Sequence, residues 1–373
     1  IIKITLKKQR NDGIEGSVSM RGMYGKYGNF NLSPAANLNY QAGKLNLYSN
    51  FGYDRNRSYA KGDEVSDYIA ENDNYYGSRM TSSTEMKGYG NGYNARLGAV
   101  YEINPRHSIG GEFGYNGKNG TDDTPRTSLF KYGNPAIIGA DSTVSRSMQI
   151  ANDKSNYFAG TLNYIWKIDT VGSTFKFIGD YNQSVADNKS TFDTYSKTHL
   201  GNAVPPEIAT LKRNDSWSDY IISSFSADLD LIHSPKTTFK TGGKFTYNKM
   251  YSNTVYQLLD QGTGAWGDSP GEPNKVTDYV ENVGALYFIY NPRVGKLGLS
   301  SGLRAEYTYI SPRYEGVKSE TKDYFSFFPN LNLSLPLNET YSNMLVLSYS
   351  RTISRPGFWA LNPSKIILSE YSW

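Results

Sequence analysis

Few residues in this sequence are of types that do covalent chemistry, and those few are badly spaced for it. The three histidines, His107, His199 and His233, stand far apart, without the short spacing of metal ligands on one element. Cysteine is absent, which removes thiolate nucleophiles, zinc–thiolate sites and disulfides together. Gly298-Leu299-Ser300-Ser301-Gly302 has the letters Gly-x-Ser-x-Gly, but it lies inside an alternating segment and not at a strand-to-helix elbow. Gly262-Thr263-Gly264-Ala265-Trp266-Gly267 has the letters of a dinucleotide fingerprint. No helical pattern follows it, so it reads as a loop. The acidic pairs Asp63-Glu64 and Asp122-Asp123 read as solvated rather than as calcium ligands. No catalytic residue, cofactor or metal is expected, and the chain does not read as an enzyme.

Non-covalent recognition is better provided for. Arg96, Glu102, Glu112, Asp180, Lys240, Lys244, Arg304 and Glu306 all fall on the polar phase of alternating segments. A Lys or Arg facing lipid at mid-depth costs roughly 2–4 kcal/mol, so such groups belong in a wet interior. Tyr75, Tyr76, Trp217, Trp266 and Trp359 read as loop aromatics, whose flat rings can stack on a ligand. The candidate ligand contacts from these two sets are Arg96, Arg304, Glu306, Tyr75, Tyr76, Trp266 and Trp359. For each, lining or packing is the bland alternative.

The elements that carry these residues announce themselves by period-two alternation. From Tyr93 the odd positions read Tyr93, Ala95, Leu97, Ala99, Tyr101 and Ile103, against Asn94, Arg96, Gly98, Val100 and Glu102. From Leu297 the odd set runs through Leu299, Ser301, Leu303, Ala305, Tyr307 and Tyr309, against Gly298, Ser300, Gly302, Arg304, Glu306 and Thr308. One face is apolar and the other polar or small, which is the pattern of a strand between two different media. The 3.6-residue period is sustained nowhere. The pattern predicts about thirteen strands, joined alternately by short turns and long polar stretches. The short turns carry Asn, Asp, Pro or Gly at 42–44, 104–107, 169–172, 234–236, 291–296 and 338–340. The long stretches are 56–86, 119–154, 189–215 and 251–277, with shorter ones near 25–32 and 312–323.

Short turns on one rim and long loops on the other are the habit of transmembrane β-barrels. Such a sheet closes on itself because hydrocarbon leaves backbone groups no water to bind. Tyr53, Tyr101, Tyr115, Tyr181, Tyr247 and Tyr309 recur near strand ends, where interfacial rings belong. The composition agrees: among 373 residues there are 32 tyrosines and 36 glycines, and hydrophobic residues make up only 38%. No apolar run approaches the roughly 18 residues of a spanning helix. Net charge is +4 with both signs interspersed, which is no signature of a nucleic-acid binder.

Two segments resemble a known family. Ile1-Ile2-Lys3-Ile4-Thr5-Leu6-Lys7-Lys8 resembles the last plug strand of TonB-dependent receptors. Tyr349-Ser350-Arg351-Thr352-Ile353-Ser354-Arg355-Pro356, followed by Leu361-Asn362-Pro363, resembles a barrel signature of the Bacteroidetes-type members. The resemblance implies an all-β antiparallel transmembrane barrel of about 22 strands, here incomplete at about thirteen. It divides the chain into the last plug strand (1–10) and the first part of the barrel (11–373), with the energy-coupling box expected outside the chain. An alternative, in which Ile366 to Trp373 adds a fourteenth strand and closes a small barrel, stays open.

The implied function is import of a scarce nutrient across the Gram-negative outer membrane, as an iron chelate, cobalamin, glycan or peptide. Loops and lumen capture it, and the plug is then displaced. The expected partners are outer-membrane lipid, the TonB energy-coupling complex acting through the plug, the nutrient and a surface lipoprotein. The alternative is a barrel with a structural, adhesion or secretion role and no energy-coupled import.

Overall fold

The computed structural model describes residues 12–25, 29–69, 74–201, 206–270, 274–340 and 342–355. The plug-like segment 1–10, the Leu361-Asn362-Pro363 part of the signature and the alternative closing strand lie outside the described residues. So does Trp359.

The described chain is one antiparallel meander. In order it forms β1 (Gly13–Tyr24), β2 (Phe30–Ala42), β3 (Leu45–Asp67), β4 (Arg79–Asn104) and β5 (His107–Lys131). A four-residue helix, α1 (Pro135–Ile138), leads into β6 (Ser142–Lys167), β7 (Thr174–His199), β8 (Ile208–Ser234) and β9 (Thr237–Leu259). Then come β10 (Trp266–Asp268), β11 (Lys275–Val294), β12 (Leu297–Tyr314), β13 (Val317–Lys318), β14 (Lys322–Pro336) and β15 (Met344–Ser350). Thirteen strands pair in sequence order, while β10 and β13 are short side pieces on β9 and β12. Among the described residues β1 and β15 are the two edges, so the sheet is open, as expected for an incomplete barrel.

Turn chemistry sets one rim. Gly43 and Gly295 take left-handed φ values of 51° and 59°, which favour glycine because a Cβ crowds there. Asn104 Oδ1 accepts the backbone N–H groups of Arg106 and His107. Asp169 Oδ1 accepts those of Val171, Gly172 and Ser173. Four two-residue turns carry a cation second: Gly43-Lys44, Pro105-Arg106, Pro235-Lys236 and Gly295-Lys296.

Above that rim the alternation produces a lipid-facing band. Tyr101, Ile109, Tyr164 and Phe177 are direct cross-strand neighbours at its lower edge. His107 stacks on Tyr164 and Trp166 there, at centroid separations of 5.9 and 5.7 Å. At the upper edge Tyr53 packs on Tyr93 at 5.3 Å and Tyr115 on Phe158 at 5.2 Å. Tyr181, Tyr247 and Tyr309 continue the ring at one level through Ser223 and Asn282. From Tyr93 to Tyr101 the strand travels about 27 Å at ~3.4 Å per residue, close to the ~25 Å band of an outer-membrane barrel once tilt is allowed for. The apolar residues between are exposed, Leu162 at 67% and Leu286 at 71%, because their solvent is lipid.

The long polar stretches required a correction. The expected loops at 56–86, 119–154, 189–215 and 251–277 are mostly strand. The ladders run on until β3 to β9 are 23 to 27 residues long, against roughly 9–11 needed to cross the membrane. The register does not slip along this extension, but the polarity inverts. Outward positions such as Glu85, Asp123, Thr191 and Lys249 now meet water. Inward positions become the packed ones: Met80 at 5% exposure, Phe130 at 4%, Met250 at 1% and Tyr256 at 2%. Ser82, Ser128, Ser145 and Ser196 form one inward row across four strands. A polar, threonine-rich segment reads as loop only if an apolar outer face is assumed throughout.

Candidate lumen site

On the polar face of the band two clusters of charge form. The larger is built on β12, where the pleat sends Arg304, Glu306 and Thr308 to one side. Arg304 Nε lies 2.5 Å from Glu306 Oε1. The other oxygen of Glu306 accepts Arg355 Nη2 at 2.5 Å, and the same nitrogen reaches Thr308 Oγ1 at 3.1 Å. Arg355 Nε stands 3.9 Å from Glu281 on β11, whose second oxygen accepts Asn248 Nδ2 at 2.8 Å. Glu306, Glu281 and Thr308 are buried at 5%, 8% and 0% exposure. Two buried carboxylates are thus held by two arginines. One of these arginines follows β15 and reaches back across β14 to get there.

Below this ledge a depression of about 430 Å³ is lined by Arg304, Lys176, Asp228, Asp230, Lys240 and Tyr287 among others. Tyr287 donates to Asp228, and Lys240 pairs with Asp230 at 3.3 Å. Together ledge and depression offer donors and acceptors of both signs on one stretch of the inner wall.

The other expected contacts fall elsewhere. Arg96 pairs with Glu112 at 3.3 Å, and Tyr48 donates to Glu112 at 2.9 Å, a separate polar patch on β3 to β5. Tyr75 is packed in a ring cluster with Tyr68, Phe130 and Tyr132, at centroid distances of 6.2, 5.8 and 6.3 Å. Gly133 permits that contact, since an added Cβ would lie 2.4 Å from the Gly77 backbone. Tyr76 in the same turn is half exposed. Trp266 sits in β10 rather than in a loop, under the Arg213 guanidinium at 4.6 Å, and Arg213 Nε donates to Gln257. The Gly262–Gly267 segment closes this hairpin, with Asp260 Oδ1 accepting the N–H groups of Gly262 and Thr263. Of the six candidates among the described residues, only Arg304 and Glu306 form an ion pair with each other.

Arg355, Glu281, Tyr287 and Asp228 were not singled out as contacts. Arg355 was visible only as a letter of the signature. Glu281 and Tyr287 share their face of β11 with Val283, Ala285 and Ile289, so no polar phase marks them.

Outside the band, charged groups are tuned by local contacts. Arg79 grips Asp67 at 2.6 and 3.0 Å and holds its carboxyl below the usual range. Asp169 is held low by Ser173 and then by turn N–H groups. Asp122, on the inward face of the extension, is pushed up by burial and then by Asp153. Among the described residues no group of three His, Asp or Glu side chains could hold a metal.

The meander, the lipid-facing band between two aromatic rings and the ion-paired inner face define an outer-membrane β-barrel protein. The sequence pattern of the outer membrane protein beta-barrel family matches residues 166–373, more than half of the chain, and the chain belongs to that family. No curated protein matches it. Among solved structures it is similar to the translocator domain of the autotransporter NalP from Neisseria meningitidis, at 9% identity and a TM-score of 0.26 over 84% of each chain. It is similar to the outer membrane protease OmpT from Escherichia coli, at 11% identity and 0.19 over 77% of this chain and 95% of that one. The siderophore receptor PiuA from Acinetobacter baumannii matches at 8% identity and 0.21 over 89% and 76%. Superpositions this loose say nothing about function.

Proposed function

We propose that the protein forms the wall of a TonB-dependent importer and that the lumen ledge takes part in passing a polar nutrient. The observation that carries this reading is the ledge itself. Arg355, from the segment that resembles the receptor signature, is folded into the lumen wall against Glu306 and Glu281. A barrel serving only as an anchor has little use for buried carboxylates, which are expensive to keep charged. A passage lined with charged donors and acceptors offers a polar ligand strong, directional contacts. In this reading the barrel is no enzyme, its plug contacts the energy-coupling complex, and a surface lipoprotein hands over the nutrient.

The test is uptake of labelled iron chelates, cobalamin, oligosaccharides and peptides by cells with and without the full-length protein. Uptake of one class falls at least about tenfold on deletion and equally on collapse of the proton-motive force. Unchanged uptake of every class, with loss of a surface-exposed or secreted product instead, overturns import in favour of an anchoring or secretion role.

A further inference from the structure

Just above the upper aromatic ring, the outward face of β3 to β6 carries two adjacent cross-strand rows. One is Arg55, Asn91, Asn119 and Lys154, and the next is Arg57, Tyr89, Thr121 and Asn152. Between them lies a cleft of about 370 Å³ lined by Arg57, Tyr89, Asn91, Asn119, Thr121 and Asn152, among others. Asp153, whose register faces it inward, is the acidic residue of the lining.

The cleft is built. Arg57 lies over the Tyr89 ring at 5.4 Å and donates through Nη1 to the carbonyls of Gly90 and Asn56. Among the described residues its Nη2 has no hydrogen-bond partner. Asn91 accepts from Tyr53 and donates to Asn119, and Thr121 donates to Asn152. These bonds use the amide oxygens of Asn119 and Asn152 and leave their NH₂ groups as outward donors.

Its address decides what it meets. The Tyr53–Tyr93 pair marks the edge of the hydrocarbon, and Arg57 is four residues further along β3, about 13 Å at ~3.3 Å per residue. That is the headgroup zone of the outer leaflet. From the arginines on β3 to Lys154 on β6 is three strand spacings, about 14 Å. This is the reach of a disaccharide with a phosphate at each end. Arginine forks match phosphate oxygens, and amide donors with a tyrosine face match sugar hydroxyls and rings.

We propose that this cleft binds the phosphorylated disaccharide headgroup of an outer-leaflet glycolipid. Its cations hold the phosphates and the asparagine–tyrosine floor holds the sugars. The site depends on the outer-membrane address, not on import, so an uptake defect and a lipid defect fail separately.

The experiment uses the full-length protein reconstituted in phosphatidylcholine nanodiscs, with diphosphoryl lipid A titrated in and binding read by native mass spectrometry. The double variant Arg57→Ala/Lys154→Ala weakens binding about tenfold or more, the worth of a charge-assisted contact. Lys249→Ala, which removes one positive charge from the outward face of β9, leaves it unchanged. If the double variant does not give the heat-modifiable band of a folded barrel, Arg57→Lys replaces it. That variant keeps the charge, loses the fork and weakens binding several-fold. Wild-type affinity in the folded double variant, or in Arg57→Lys where that replaces it, overturns the proposal. So does equal binding of phosphatidylglycerol, or displacement of lipid A by millimolar inorganic phosphate.

Discussion

The same strands obey one alternation in two media, with opposite results. Within the band of β4 the outward residues Leu97, Ala99 and Tyr101 are apolar and face lipid, while Arg96 and Glu102 turn inward. Farther along the same strand, outward Glu85 and Lys87 face water and inward Met80 is packed. The backbone ladder is continuous through both regions. What changes is the solvent outside, and with it the face on which an apolar side chain gains free energy. A barrel wall is therefore not defined by an apolar exterior. It is defined by the ladder, which each medium then decorates in its own way.

The largest expected effect sits at the junction of the regions. Arg355→Ala leaves Glu306 and Glu281 buried with one fewer cation, and removing one partner of a buried pair costs about 3–5 kcal/mol. Urea unfolding of the reconstituted protein measures it, and a change below ~1 kcal/mol would mean that water fills the ledge. The comparison itself is tested by one substitution placed twice on the outward face. Leu162→Arg in the band costs about 2–4 kcal/mol, whereas Thr191→Arg in the extension costs less than about 0.5 kcal/mol. Equal costs would break the two-medium account. Next, Met250→Ala removes a side chain 1% exposed on the inward face of the extension and costs about 2 kcal/mol.

The smallest effects are in pH dependence, and they have opposite signs. Asp169 in the short-turn rim has a folded pKa below its unfolded value. Its contribution is present above the unfolded value of about 3.9 and is lost as pH falls through the lower folded value. Asp122 in the extension has its pKa raised. Its ionisation opposes folding above the raised folded value, and the cost disappears as pH falls below about 3.9. Asp169→Asn therefore destabilises at pH 7 and Asp122→Asn stabilises there. Unfolding midpoints at pH 7 and pH 3 check both, and midpoints shifting together would contradict the assignment.

Much of this was legible in the residues, because a period of two is a local property. The Tyr93–Ile103 and Leu297–Tyr309 segments gave strand, face and approximate number, and the polar phase placed Arg304 and Glu306 inside. The extension reads as loop in the sequence because its apolar side faces inward, opposite to that of the lipid band. Tyr75 and Trp266 look like free rings in the sequence because their partners, Phe130 and Arg213, lie 55 and 53 residues away.

By itself, then, the sequence determined the class: an outer-membrane wall of alternating strands, with turns set by Gly43, Asn104 and Asp169 and rings set by its tyrosines. Tertiary structure alone decided that Arg355 meets Glu306 and Glu281, and that Arg57, Asn91, Asn119 and Lys154 stand in neighbouring rows. Those meetings depend on register between strands distant in the chain. Hydrogen bonding between backbones fixes that register without regard to which side chains it brings together.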